Sequence, residues 1–279
     1  MENILTGPRP PAAPPAARTP DDFFRQHRTR MTLVLLLFLA ATVVAGLVTQ
    51  FDVARSFASF PKALGWLAQN VVPTRASLTL VPNILIKLLQ TVQISLMATV
   101  FAALLAFAFA LLGAAPTRPA PVFSAVTRLV ASFFRNIPVV AWAMILIFSF
   151  GQSMLTGFLA IFIETFGFLV RSFIEIVDET AAGSVEALRA AGADRIQVVF
   201  QSVLPSVKPM ILSWMLYMLE SNIRSATLVG MLTGTGIGFA FDLYYKNFNY
   251  AGAALVIVAV VVVVLCIEML SNAIRRVIL

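Results

Sequence analysis

The sequence has 279 residues, of which 59% are hydrophobic and only 12% are charged. Soluble domains carry roughly 25% charged and about 45–50% apolar residues, so this composition excludes an ordinary water-soluble fold and predicts an integral membrane protein. The net charge of +7 comes from scattered Lys and Arg residues without the interleaved aromatic residues of a nucleic-acid groove, so no nucleic-acid partner is predicted.

The two residue types most often used in metal sites and redox chemistry are almost absent. The single cysteine, Cys266, lies in an apolar run and cannot form a disulfide within the chain. The single histidine, His27, lies in a basic flank, and no cluster of several His, Cys and carboxylate ligands is present in the sequence. We therefore predict no metal site, no cofactor bound by this chain and no catalytic residues, which means that the chain is not itself an enzyme.

Composition divides the chain into three predicted parts. Residues 1–30 are rich in proline and alanine and are predicted to form a disordered cytoplasmic tail. Residues 31–80 combine a first, uncleaved transmembrane helix at 31–48 with a periplasmic segment, in which Phe57, Trp66 and Leu67 favour an amphipathic helix at the membrane interface. Residues 81–279 are predicted to form the core domain.

The core domain contains further apolar runs long enough to cross a membrane. Spans are predicted near 88–113, 134–150, 154–173, 207–231 and 251–273, with a proline-rich basic connector at 115–128. The fold is thus predicted to be all-α, with about six transmembrane helices and both termini on one side. Lys and Arg, including Arg128 and Arg135, concentrate in the segments that this topology makes cytoplasmic, which fits the positive-inside rule.

A polar segment at 175–205 precedes the fifth span and is predicted to face the cytoplasm. Its sequence indicates two short helices, the first capped by Ser184 and ended by Gly192 in a left-handed conformation. Asp194 is predicted to cap the second helix, with Gln197 completing a capping box. The segment is either an ordinary helical loop or a rigid surface for a soluble partner.

This segment resembles the cytoplasmic signature of permease subunits of binding-protein-dependent ABC importers. That signature reads E-A-A, three residues, Gly, nine residues and I-x-L-P, and its spacing is preserved here. The matching residues are Glu186, Ala187, Gly192, Leu204 and Pro205. Leu188 and Ser202 depart from the pattern, and Ser202 is expected to weaken one apolar contact. The resemblance implies the type I-like permease fold and a contact through which an ATPase subunit moves the pore.

Three further stretches resemble the phosphonate-type branch of these permeases. They include "RNIPVV" at 135–140 and "ESNIRSATLVGMLTGTGIG" at 220–238, where Thr235 stands in place of the usual small residue. The resemblance implies import of phosphonate, phosphate or phosphite across the bacterial inner membrane. It also implies a second permease copy in a homodimer, two ATPase subunits that bind ATP and Mg, and a periplasmic binding protein. Lipid surrounds the spans.

Charged residues inside the predicted spans are candidates for the translocation path. Glu220 and Arg224 are four residues apart and share a helix face, so they form either a self-neutralising pair or, with Asn222, part of an anion path. Glu164, in the fourth span, is predicted either to pair with a neighbouring helix or to lie near a membrane face.

The glycine-rich stretch Gly-Thr-Gly-Ile-Gly at 234–238 lacks the Gly-Lys-Ser/Thr ending of a phosphate-binding loop. Gly234, Gly236 and Gly238 are instead predicted to let the backbone turn at the outer mouth of the pore, where they either act in a gate or contact a periplasmic binding protein, or to permit close approach of helices. Two other functions remain open: an importer permease for another solute, such as an amino acid, and an ATP-independent secondary transporter, although no internal repeat supports the latter.

Overall fold

The structure is a computed structural model that describes residues 20–72, 74–75 and 77–278. For residues 20–26, 53 and 278 it describes the backbone only. Its described residues are almost entirely helical and include no β-strand, which confirms the predicted all-α class. The helices are α1 Pro20–Val48, α2 Val53–Asn70, α3 Val81–Gly113, α4 Pro121–Arg135, α5 Val139–Phe150, α6 Met154–Thr180, α7 Ala182–Ala190, α8 Arg195–Val198, α9 Leu204–Thr233, α10 Gly236–Lys246 and α11 Tyr250–Ile278. Most of the predicted tail, residues 1–19, lies outside the described residues.

Five helical segments are long and apolar enough to cross a membrane. They are His27–Val48, Ser77–Gly113, Met154–Thr180, Arg195–Thr233 and Tyr250–Val277. The bent pair α4 and α5 would make a sixth span if counted as one, so about six spans are confirmed. The chain is therefore a multi-pass membrane protein.

The predicted third span near 134–150 is wrong in its form. Instead of one straight helix, α4 and α5 meet at 86°. The residues predicted to be a connector are helical from Pro121 onward, because proline is well tolerated at the first position of a helix. Pro138 has no N–H and disfavours helical geometry in the residue before it, so the bend falls between Arg135 and Val139.

The core of the protein is built on α3, α6 and α9. Along α3, small side chains are fully buried against the large apolar side chains of α6, and this allows the two helices to approach closely. The small residues are Ala102, Ala106 and Ala110, and the α6 residues include Val170, Phe173 and Ile174. Close packing of this kind is the main source of helix association in lipid.

The chain divides into two compact units, one ending at Gly65 and one beginning at Trp66. In the first unit, the apolar side chains of α1 are exposed in the isolated chain, including Leu37 and Phe38. In the second unit, a stripe of α11 is also exposed, including Val258, Val261 and Leu265. Both surfaces fit the predicted contact with lipid.

Candidate functional site

The polar segment forms two helices, as predicted, but the first one begins earlier than predicted. α7 starts at Ala182, directly after α6, so Ser184 lies inside the helix and is not its cap. The Ser184 hydroxyl instead donates a hydrogen bond to the Ala181 carbonyl at 3.2 Å. The predicted capping box of α8 is confirmed: the Gln197 N–H donates to Asp194 Oδ1 at 2.8 Å, and the Asp194 N–H donates to Gln197 Oε1 at 3.0 Å.

Gly192 ends the first helix by the predicted left-handed turn. Its φ is +87°, and its N–H donates to the Arg189 carbonyl at 3.0 Å. The N–H of Ala193 donates to the Leu188 carbonyl, also at 3.0 Å, which closes the helix end. A Cβ on Gly192 would meet no atom within 4 Å, so the backbone conformation, and not lack of space, requires glycine here.

The inner face of this segment is continuous with the membrane core. Val185 of α7, Val198 of α8 and Val203 in the π-helical turn that follows are almost completely buried, and they belong to the same apolar cluster as Phe173 and Val177 of α6. Close-packed side chains transmit a displacement because little empty space is available to absorb it. A push on α7 would thus reach α6 and the start of α9.

A residue that departs from the family pattern joins α7 to the π-helical turn after α8. The Ser202 hydroxyl donates to the Ser184 hydroxyl at 2.8 Å, and Ser202 itself is buried. The apolar contact that Ser202 was expected to weaken is therefore replaced by a hydrogen bond across the segment.

Removal of this hydrogen bond should loosen the segment without unfolding the protein. We expect Ser202→Ala to lower the free energy of unfolding by about 1 kcal/mol, the usual net contribution of one hydrogen bond. A double-mutant cycle with Ser184→Ala, measured by thermal unfolding in detergent, should show coupling between the two sites. Strictly additive effects of the two substitutions would mean that the hydroxyl pair contributes nothing.

The outer face of the segment is exposed and mixes polar residues with the exposed apolar side chains of Ile196 and Phe200. Glu186, Ala187 and Gly192 lie on it, and Glu186 borders a cleft of about 330 Å³ together with Arg189 and Asp178. Leu204 and Pro205, the other residues of the signature, begin α9, where Leu204 is half-buried and Pro205 is exposed. The signature therefore has two parts: an exposed face and the start of a transmembrane helix.

The predicted charged pair in α9 is present. Arg224 Nη1 donates to Glu220 Oε1 at 2.9 Å, with 52% of the Arg224 side chain and 14% of the Glu220 side chain exposed. Asn222 is buried and lies about 200° around the helix from each of them. Its Nδ2 donates to Thr99 Oγ1 at 2.9 Å, and its Oδ1 accepts from Thr165 Oγ1 at 3.1 Å. Asn222 thus joins α9 to α3 and α6 and does not share a face with the pair.

The glycine-rich stretch joins α9 to α10. Gly234 and Gly236 have φ values of +68° and +59°, so the predicted sharp turn is present. A Cβ on Gly238 would lie 1.9 Å from the Thr227 carbonyl, so α10 can pack on α9 only with glycine at this position. Thr235, the residue that departs from the branch pattern, shares a 2.9 Å hydrogen bond with Thr233 Oγ1.

One polar site in the second unit escaped the sequence analysis. Arg135, which the charge count placed on the cytoplasmic side, has its backbone against Gly167, midway along α6. It lines a cavity of about 390 Å³ together with Glu164 and three hydroxyl side chains of α9. The cytoplasmic location of Arg135 stays a prediction, while the bend after α4 places this residue beside the middle of α6. Only the spatial meeting of α4, α6 and α9 shows the site.

The sequence of this chain is similar to those of known membrane transport proteins. Residues 106–278 match the family described as binding-protein-dependent transport system inner membrane component. The chain is 30% identical over 168 residues to the phosphate-import permease protein of Mycolicibacterium smegmatis, a match that covers 60% of this chain and 32% of that protein. It is 37% identical over 118 residues to a protein of Escherichia coli (strain K12) named as a cryptic phosphonate transport system permease, covering 42% and 97% of the two chains.

Among solved structures, the inward-facing MetNI methionine ABC transporter is similar in fold. The TM-score is 0.63 at 18% sequence identity, and the match covers 74% of this chain and 99% of that one. At this identity the likeness concerns the fold alone. The matched segment spans about a third of the length of the mycobacterial relative, whereas it spans nearly all of the Escherichia coli protein.

Proposed function

The chain belongs to the family of binding-protein-dependent transport system inner membrane components, and we propose that it is the permease subunit of an ATP-driven ABC importer for phosphonate or a related phosphorus oxyanion. The observation that carries this proposal is the polar segment, in which an exposed face with Glu186 and Gly192 is packed through Val185 onto the membrane core. An ATP-independent transporter would have no use for such a rigid external face.

In the proposed mechanism, a separate ATPase subunit binds the exposed face of α7 and α8. ATP binding closes the two ATPase subunits and displaces this face, and the buried valines pass the motion to α6 and α9. The pore then alternates between inward- and outward-facing states, and a periplasmic binding protein delivers the ligand. ATP and Mg bind to the ATPase subunits.

A second permease copy completes the proposed assembly. The described residues include one polar segment of this kind, whereas two ATPase subunits each require one. A homodimer supplies both segments in the simplest way. The proposed location is the bacterial inner membrane, with both termini of each copy in the cytoplasm. The basic residues that flank the spans support this orientation.

The proposed substrate class is supported by the names of the relatives, which include a phosphate-import permease and a phosphonate transport permease. The test is to purify the tagged permease from its native membrane, identify the ATPase subunit that co-purifies, and measure ATP-dependent uptake in proteoliposomes with the companion binding protein. Calorimetry of that binding protein should show tight binding of a phosphonate, phosphate or phosphite. Tight binding of an amino acid alone would contradict the substrate, and uptake without an ATPase would contradict the class.

Substitution of Arg224 tests whether the pair Glu220–Arg224 lies on the proposed translocation path of the anion. The Glu220 side chain is only 14% exposed, so Arg224→Ala leaves a largely buried carboxylate without its partner and should lower the melting temperature. We expect the same substitution to lower uptake several-fold, because a positive charge on the anion path is lost. Unchanged uptake combined with a lower melting temperature would instead show that the pair is structural.

A further inference from the structure

A polar cavity lies between α4, α6 and α9, beside the middle of α6. We call it the Arg135 cavity, and its polar lining consists of Arg135, Glu164, Tyr217, Ser221, Asn222 and Ser225. Its volume of about 390 Å³ would hold roughly a dozen water molecules, which is ample for a small hydrated anion. Polar cavities between membrane-spanning helices are costly and usually mark a transport path.

The position of the cavity along α6 follows from two contacts of that helix. Arg135 abuts Gly167, which is midway between the ends of α6 at Met154 and Thr180. Asn222, on the cavity wall, accepts a hydrogen bond from Thr165, two residues away from Gly167. The cavity is thus equally far from both ends of the helix.

Arg135 differs from the other arginines near it in having no carboxylate partner. Arg128, Arg171 and Arg224 form ion pairs with Asp178, Glu175 and Glu220, respectively. Within the described part of the chain, no carboxylate lies within ion-pair distance of the Arg135 guanidinium, and Glu164, across the same cavity, faces the amide of Val139 at the start of α5 instead. The Arg135 guanidinium is thus not engaged directly by a carboxylate, and it is suited to a mobile anion.

The wall opposite Arg135 carries a column of hydroxyl groups. Tyr217, Ser221 and Ser225 are spaced by four residues along α9, so they lie above one another on one face. Serine and threonine hydroxyls in transmembrane helices often bond to the carbonyl four residues earlier, as those of Ser206 and Thr227 do. Among the described residues, the hydroxyls of this column have no such hydrogen bond and are available to a ligand.

We propose that the Arg135 cavity is a transit site for the transported phosphorus oxyanion, in which Arg135 provides the charge and Tyr217, Ser221 and Ser225 donate hydrogen bonds at successive depths. This inference rests on the proposed function. Glu164 offsets the charge of Arg135, so the oxyanion is held weakly and is released to the next site. The stacked hydroxyls let it move along α9 without losing all its partners at once.

A single-cysteine experiment tests the cavity directly. Cys266 is the sole cysteine of the sequence, so Cys266→Ser gives a cysteine-free permease, into which Ser221→Cys is introduced. In the assembled complex with its ATPase, the new thiol is reacted with an anionic and a cationic methanethiosulfonate reagent. We expect Arg135→Gln to lower the ratio of the anionic to the cationic rate by about tenfold, whereas Arg135→Lys should retain it.

The matched control is Arg171→Gln, which also removes a cation from this region, from a residue that does not line the cavity. It should leave the ratio of rates unchanged. Glu164→Gln should raise the ratio, so this variant tests the same electrostatic account if Arg135→Gln does not assemble. Ser225→Cys provides a second reporter four residues away. An unchanged ratio in both Arg135→Gln and Glu164→Gln overturns the proposal.

Protection by ligand identifies the chemical class. Methylphosphonate or inorganic phosphate should slow labelling of the thiol at concentrations up to about 100 mM, a range that would reveal even a millimolar site. Glycine should not slow it. Absence of protection by either oxyanion overturns the proposal even if the charge effect is present. If wild-type proteoliposomes import no phosphorus oxyanion, the proposed function fails, and this outcome is separate from the result of labelling.

Discussion

Gly192→Pro should abolish uptake while the permease still inserts into the membrane. Proline holds φ near −65° and has no N–H, whereas Gly192 has a φ of +87° and donates to the Arg189 carbonyl. The substitution therefore costs about 3 kcal/mol or more at the junction of α7 and α8. The ATPase should still hydrolyse ATP, but the loaded binding protein should no longer stimulate it, and uptake in proteoliposomes should fall below detection.

The chain offers a matched control for this prediction. Gly183 lies in α7, has no positive φ, and would also place a Cβ in open space. Gly183→Ala should leave uptake near the wild-type level, and Gly192→Ala should be intermediate because a left-handed alanine costs about 1–2 kcal/mol. Glu186→Lys, which reverses the charge on the exposed face and does not change the turn, should also uncouple uptake from ATP hydrolysis. Normal uptake by Gly192→Pro would show that the ATPase acts elsewhere.

Gly238→Ala should destabilise the packing of α10 on α9 more than Gly157→Ala destabilises the packing of α6 on α9. The added Cβ would lie 1.9 Å from the Thr227 carbonyl and 2.7 Å from the Met231 amide nitrogen, both of which are backbone atoms of α9. Backbone atoms, unlike side chains, cannot avoid the added Cβ by changing rotamer, so α9 and α10 must separate. Overpacking of this kind costs roughly 1–3 kcal/mol, which corresponds to a melting temperature lower by about 2–10 °C. Uptake should be lost if the turn acts as a gate.

Gly157→Ala is the control for this second prediction. Gly157 of α6 also packs against the end of α9, but a Cβ there would be 3.4 Å from the nearest atom, Thr233 Oγ1. We expect this variant to melt within about 2 °C of the wild type, since the contact is close to an ordinary van der Waals distance. Equal destabilisation by the two substitutions would show that the close approach of Gly238 is not the cause.

Several features of the candidate site were predictable because they depend on neighbours in the sequence. The left-handed turn at Gly192 and the capping box of Asp194 and Gln197 are set within a few residues, and both are confirmed. The ion pair of Glu220 and Arg224 follows from four-residue spacing on one helix. Local prediction failed at Ser184, because α7 begins immediately after α6 and leaves no room for a capping residue there.

The sequence by itself determined the membrane class, about six spans, and the polar segment with its turn, because hydrophobic length and short-range backbone chemistry decide these properties. The tertiary structure alone decided that Arg135 lies beside Glu164 and the hydroxyl column of α9, and that Ser202 bonds to Ser184. Arg135, Glu164 and the column are far apart along the chain, and the bend between α4 and α5 and the packing of α6 against its neighbours bring them together. Ser184 and Ser202 meet because α7 packs against the π-helical turn that precedes α9.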